Sequence, residues 1–276
     1  MRTWRPATLT LALIATGLLP HLAPSGPLLA QATGDRAQLV FTVSAGYVGG
    51  RSLWAVNPQP ISFGPPADTL ALMRDIRGTL TVGFGGNYFP GEHLGITAEA
   101  TLLGLGFADQ CRQQFSSGSG AVRLACLDIQ GQEKRASAIV ASVGAIYRIR
   151  SRSWVSPYAR ANAGFVFSNQ SSIRTIGRFP SDSGNVDLII YDDDHDTRIA
   201  PAFALGVGFT VPVARGYQIR WEVRDNITGV QQVTGPAVGS GQGPGIIPPH
   251  QLVFKHLLGI SVGFDVVLER RRGRRY

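Results

Sequence analysis

Past residue 36 the apolar residues of this chain recur at every second position, over segments longer than those of an ordinary globular sheet. Period two places successive side chains on opposite faces, so each segment reads as a strand with one apolar and one polar face. Eight segments carry the pattern, at about 37–48, 76–89, 93–106, 137–149, 155–168, 198–212, 216–225 and 252–268. Most run well beyond the usual strand of about five or six residues. They match the roughly 9–11 residues that a tilted strand needs to cross a bilayer. In the first, Leu39, Phe41, Val43, Ala45 and Tyr47 alternate with Thr42, Ser44 and Gly46. In the seventh, Tyr217, Ile219, Trp221 and Val223 alternate with Gln218, Arg220, Glu222 and Arg224.

The connections run long, short, long, short: 49–75, then 90–92, then 107–136, then 150–154, and so on to a last long one at 226–251. An even number of strands with short turns on one side and long loops on the other is the plan of a transmembrane β-barrel, with the short turns periplasmic. A soluble barrel would keep its apolar face inside and show a charged face to water. Here charged residues are only 16% of the chain, Lys134 and Lys255 are its only lysines, and the polar faces are mostly Gly, Ala, Ser and Thr. Such small residues suit the narrow interior of eight strands, which side chains fill. Tyr88, Phe89, Tyr147, Trp154, Phe209, Tyr217 and Phe264 fall near the short turns, and Tyr47, Phe165, Phe167, Phe203 and Phe254 near the long loops. Two such bands are expected at the two membrane interfaces. The reading is an all-β, eight-stranded, antiparallel up-and-down transmembrane barrel.

The formal charge of +8 does not imply a nucleic-acid partner, because seven of the cations sit at the ends: Arg2, Arg5 and five Arg between Arg270 and Arg275. Removing those seven charges from +8 leaves +1 for the body. Two Arg in Met1–Pro6, the apolar run Ala7–Leu19 and the small-x-small triplet Ala30-Gln31-Ala32 form a secretory signal with cleavage before Thr33. The expected organisation is a signal peptide over 1–32, a barrel over 33–268 and a basic periplasmic tail over 269–276, in the outer membrane of a Gram-negative-type cell.

On these grounds the chain resembles the superfamily of small eight-stranded outer-membrane β-barrel proteins. The sharpest local match is Ser261-Val262-Gly263-Phe264-Asp265-Val266-Val267-Leu268. It is similar to the last-strand signal read by barrel-assembly machinery, with Ser261, Gly263, Val266 and Leu268 at its defining positions. The usual pattern ends the chain there, whereas this one continues through Glu269 to Tyr276.

Polar-face charges are expected inside the barrel: Glu99, Arg148, Arg160, Arg220, Glu222, Arg224 and Asp265. Burying them is costly unless they pair, so they read as a salt-bridged filling of the lumen, with a gated pore or proton path as the alternative. Cys111 and Cys126, the only cysteines, read as a disulfide in an exported protein. The run Asp192, Asp193, Asp194, His195, Asp196 could hold Ca²⁺, but lacks EF-hand spacing and reads as a solvated acidic loop. His256 shares the lipid-facing register of Phe254 and Leu258. The lipid A deacylase barrels place His-x-Ser on that face; here the matching residue is Leu258, so the nucleophile is missing and no enzyme is expected. The tail either meets inner-leaflet phosphates or remains a disordered end.

No cofactor or metal is expected. The partners expected are outer-membrane lipid and lipopolysaccharide, the barrel-assembly machinery and an extracellular ligand at the long loops, with no nucleic acid. Two functions remain: surface interaction or envelope integrity through those loops, and a narrow channel or transporter for small or apolar solutes.

Overall fold

The computed structural model describes residues 37–61, 68–115, 120–131, 133–150, 153–168, 171–181, 184–192, 198–237 and 247–269. The expected signal peptide, the basic tail from Arg270 and most of the acidic run, Asp193 to Asp196, lie outside the described residues. In chain order the elements are β1 (Gln38–Val48), β2 (Arg51–Ile61), β3 (Asp68–Ile76), β4 (Thr79–Phe89), β5 (Leu94–Phe115), α1 (Gly120–Gly131) and β6 (Glu133–Arg148). They continue with β7 (Ser156–Ser168), β8 (Thr175–Ser181), β9 (Gly184–Tyr191), β10 (Arg198–Ala214), β11 (Tyr217–Val233) and β12 (His250–Glu269).

Eight of these strands form a closed antiparallel ring, β1–β4–β5–β6–β7–β10–β11–β12. Pairing of β12 back to β1, from Gln38 opposite Glu269 to Val48 opposite Gly259, completes it. Closure leaves no sheet edge in the ring, which is what lets β-structure cross a bilayer with its backbone groups paired. The eight strands correspond one for one to the eight alternating segments.

Burial follows the same alternation. Phe41, Val43, Leu80, Phe84, Val143, Leu205, Trp221, Ile260 and Val262 all point outward and are exposed. Along β11 and β12 this apolar surface runs from the stacked rings of Tyr217 and Phe264 to the paired rings of Phe203 and Phe254. Ten residues of a strand tilted by about 40° cover about 25 Å, the height of an outer-membrane barrel's apolar band. A closed ring wearing such a belt is a membrane-spanning barrel. Phe89 departs from the expected lower band: it points into the lumen, fully buried, where the guanidinium of Arg148 sits 3.5 Å from its ring centre.

The long connections are more ordered than a loop reading suggests. β2 and β3 form a hairpin that prolongs β1 and β4 beyond the belt, and β3 pairs with the outer part of β5. α1 packs on β5 and β8, with Val122, Ala125, Cys126 and Ile129 buried at helical spacing. β8 and β9 form a separate two-stranded sheet. On the other side of the belt the connections are short, and the β10–β11 turn is Arg215-Gly216, with Gly216 at φ 84°.

Candidate functional site

The interior of the barrel is stacked in layers of different chemistry. Near the short-turn end Val40, Phe89, Ile146 and Tyr158 form a small apolar cluster although all four face the lumen. At mid-height the strands point charges inward. Glu99 accepts two hydrogen bonds from Arg224 Nη1 and Nη2, at 2.6 and 2.7 Å, one from Arg160 Nη1 at 2.6 Å, and one from the Thr101 hydroxyl at 2.7 Å. Glu222 accepts from Arg160 Nε at 2.9 Å and from the Tyr158 hydroxyl at 2.7 Å. Asp265 accepts from Arg220 Nε and Nη2, at 3.1 and 2.9 Å, and from Thr42 at 2.8 Å.

The structure places the seven charged residues in the lumen in two bonded groups, Glu99, Glu222, Arg160 and Arg224 in one and Arg220 with Asp265 in the other, while Arg148 lies toward the short-turn mouth. Its Nη1 donates to Gln38 Oε1 at 3.0 Å and its charge rests on the Phe89 ring. Four cations face three carboxylates, and each carboxylate is held by more than one donor. Burying charge in a medium of low dielectric demands that kind of satisfaction.

Glycine makes the room. Gly206 and Gly208 lie beside the network on β10, and a Cβ at Gly206 would come within 2.9 Å of Glu222 Oε1. A Cβ at Gly208 would fall 2.7 Å from the Tyr158 hydroxyl. Cavities beside Glu99, Arg160 and Arg224 measure about 10 to 20 Å³, the scale of a single water.

Beyond the charged layer the lumen turns apolar again. Leu103, Ala138, Val166, Ala202 and Leu257 join Leu53, Trp54, Leu70, Phe107, Val122, Ile129, Ile173 and Leu188 in one large cluster, which fills the outer end. Cys111 and Cys126 are bonded within it, tying α1 to β5. Arg74, fully buried there, makes a bidentate pair with Asp109 (Nε–Oδ1 2.5 Å, Nη2–Oδ2 2.7 Å) and also donates to the Arg174 carbonyl and to Thr175. This pair joins three connections that are distant in sequence. Tyr191 donates to Gln59 Oε1 at 2.8 Å, and burial pushes its phenol above the ordinary range.

On the outer surface His256 Nδ1 lies 2.7 Å from Asp225 Oδ2, both on the lipid-facing side just below Phe254. The sequence reading singled out His256 but missed Asp225. The available signal was that Asp225 follows Tyr217, Ile219, Trp221 and Val223 in the apolar register, where a carboxylate is out of place. The positions two residues either side of His256 are Phe254 and Leu258, and its cross-strand partner is Ile227, so this carboxylate–imidazole pair has apolar neighbours where a nucleophile would stand. Ser261 and Gly263 face the lumen from β12, and Val266 and Leu268 face outward, all on the strand that closes against β1.

No protein-family model matches the chain, and no curated protein sequence does. Among solved structures it is similar to the outer membrane protein OprG from Pseudomonas aeruginosa, at 9% identity over 85% of this chain and 97% of that one, with TM-score 0.48. It is similar to the outer membrane protein AlkL in DMPC lipid bilayers, at 15% identity over 85% and 90%, with TM-score 0.42. It is also similar to Ail, the attachment invasion locus protein of Yersinia pestis in complex with the heparin analogue sucrose octasulfate, at 11% identity over 85% and 99%, with TM-score 0.36.

Proposed function

We propose that this protein is a non-conducting, non-enzymatic outer-membrane barrel that acts in surface interaction or envelope integrity through the structures it carries beyond the belt. The observation that carries the reading is the filled interior: an apolar cluster, a paired charged layer and a second apolar cluster follow one another along the axis. A solute path would have to break buried ion pairs and then open an apolar core. What faces the exterior is, by contrast, built to hold a shape. The β2–β3 hairpin, α1 and the β8–β9 sheet are fastened by a disulfide and by the Arg74–Asp109 pair. Rigid scaffolds of this kind present binding residues to partners.

In this reading residues 1–32 direct export and are removed. The β12 signal of Ser261, Gly263, Val266 and Leu268 engages the barrel-assembly machinery, and the belt sits among outer-membrane lipid and lipopolysaccharide. Planar-bilayer recording with the purified, folded protein tests it. No single-channel steps are expected at salt concentrations where porins conduct; reproducible steps would replace this reading with the narrow-channel one.

A further inference from the structure

Outward of the belt the wall of the barrel is open along one strand. β12 pairs with β1 from Glu269 up to Gly259, and one further bond runs from the Gly49 amide to the Leu258 carbonyl at 2.8 Å. From Leu257 to His250, β12 continues with β11 as its only strand partner among the described residues. β2 follows β1 in the chain, yet it pairs with β3 and not with β12. It leans across the mouth instead. Trp54 Nε1 donates to the Ser172 carbonyl at 2.9 Å, and Gln59 Nε2 to the Ala237 carbonyl at 3.2 Å. Ser172 follows β7, the strand opposite β1 in the ring.

Register identifies the backbone groups left over. In an antiparallel ladder every second residue exchanges both of its bonds with a given neighbour. Leu258 bonds toward β1, so His256, Phe254, Leu252 and His250 face the open edge, while Val253, Lys255 and Leu257 bond toward β11. The Asn226 side chain on β11 donates to the Leu257 carbonyl, which agrees with that alternation. Side chains alternate as well. Leu252, Phe254 and His256 stand outward and are about half exposed. Leu257 is buried and Val253 packs on the large outer cluster. Lys255, opposite buried Thr228, points inward and is half-buried.

An open, apolar strand edge is a template for another strand. β2 is blunted as such a template by Pro58 and Pro60, which have no N–H to donate. β12 carries no proline from His250 to Glu269. Its inward lysine sets the selectivity, because opposite charges attract and like charges repel across a strand pair. Two copies of this chain in one membrane, related by an axis along its normal, would bring their β12 strands together in parallel and lysine to lysine. A second copy therefore suits the edge poorly.

We propose that the His250–His256 edge of β12 binds an extended segment of a partner protein as an added antiparallel strand, with apolar side chains beside Leu252 and Phe254 and a carboxylate opposite Lys255. This rests on the reading of a surface-interaction protein and names the class of partner it takes.

The test uses the full chain folded in lipid bilayers and reads amide hydrogen exchange residue by residue. Without a partner, the Leu252 and Phe254 amides should exchange about tenfold faster, or more, than those of Val253 and Lys255, since only the second pair is bonded to β11. The probe is a short synthetic peptide of alternating valine and threonine with a glutamate at its centre, at millimolar concentration. It should slow Leu252 and Phe254 to the rate of their neighbours. The same peptide N-methylated at alternate residues, which strips the donors from one edge, should not. Leu252→Pro deletes an N–H that faces the open edge and leaves the β11 ladder whole, so protection of Phe254 by the peptide should disappear. Lys255→Glu should weaken the glutamate peptide about tenfold, the scale of one charged hydrogen bond, and favour a lysine-centred peptide instead. If Leu252→Pro does not fold, as judged by heat-modified migration on a gel, Lys255→Glu carries the test.

Uniform protection from Leu252 to Lys255 before any peptide is added would mean that the edge is already covered, and would overturn the proposal. So would no slowing by the glutamate peptide, or equal slowing by its N-methylated form. Protection that rises with protein concentration alone would make the occupant a second copy and overturn it too. Channel steps in the bilayer recording would refute the closed-lumen reading and leave the exchange pattern standing, so the two failures are distinguishable.

Discussion

Glu99 is the hinge of the interior charge layer, and its replacement by Gln is the sharpest perturbation available. The carboxylate holds Arg160 and Arg224 at once, through three charge-assisted bonds of 2.6 to 2.7 Å. Gln has nearly the same volume, so packing is conserved while one oxygen becomes an NH₂ group aimed at a guanidinium. The lumen's balance goes from four cations and three anions to four and two. Removing one partner of a buried pair costs about 3–5 kcal/mol, mostly from the charge left behind. A guanidinium m-value of about 4 kcal/mol/M, mid-range for small proteins, converts that to a fall of roughly 1 M in the unfolding midpoint. Folded protein in lipid vesicles would be unfolded in guanidinium and followed by tryptophan emission, with reversibility checked by dilution.

The pair Glu99→Gln with Arg224→Gln should recover part of the loss, because it removes a charge of each sign. An independent, additive double variant would contradict the coupling drawn from the distances. A midpoint change under 0.2 M for Glu99→Gln, about a fifth of that expected, would refute the reasoning outright. It would mean that water reaches the layer and that the lumen is not filled.

Three further perturbations separate the parts of the molecule. Gly206→Ala should cost about 1–3 kcal/mol through its approach to Glu222, as overpacking does, while Gly86→Ala, with nothing within 4 Å, should be near neutral in the same assay. Replacing Cys111 and Cys126 by Ser should leave heat-modified migration of the barrel intact but speed proteolysis around α1, since a closed loop of 15 residues is worth about 3 kcal/mol. Arg74→Met removes the bidentate partner of Asp109 and the bonds to Arg174 and Thr175, so hydrogen exchange should rise in β8 and α1, with β1 and β12 unchanged.

The barrel itself was legible because lipid and a narrow lumen impose opposite chemistry on alternate residues, and a period of two survives any detail of packing. Strand boundaries were legible at the short-turn side, where Pro90, Gly91 and Gly216 end the pattern, and not at the other. There the strands leave lipid, so both faces can be apolar or polar by turns. β2 reads Arg-Ser-Leu-Trp-Ala-Val-Asn-Pro-Gln-Pro-Ile, whose two prolines argue against a strand, yet it pairs with β3 through register shifts at Ser52/Trp54 and Val56/Gln59.

The seven lumen charges were readable from register alone, but their partners were not. Arg160 bonding both Glu99 and Glu222 depends on strand stagger, which no local pattern contains. Phe89 was misplaced for a related reason. An aromatic next to a turn looks like an interface residue, and only the register tells that Tyr88 faces lipid while Phe89 covers Arg148. Arg74 and Asp109 sit in segments that read as loops, so nothing in the sequence marked them as buried.

The central claim is a filled interior inside a lipid-facing wall, and thiol accessibility tests it most directly. Ser44 and Ser261 face the lumen, and either can be changed to Cys with little change of volume, while the native cysteines remain in their disulfide. Each variant, folded in lipid vesicles, would be treated with a charged, water-soluble thiol reagent added to both sides. The account expects no labelling of either position until denaturant unfolds the barrel. Labelling of folded protein at the rate of an exposed thiol would show a water-filled lumen and contradict the account.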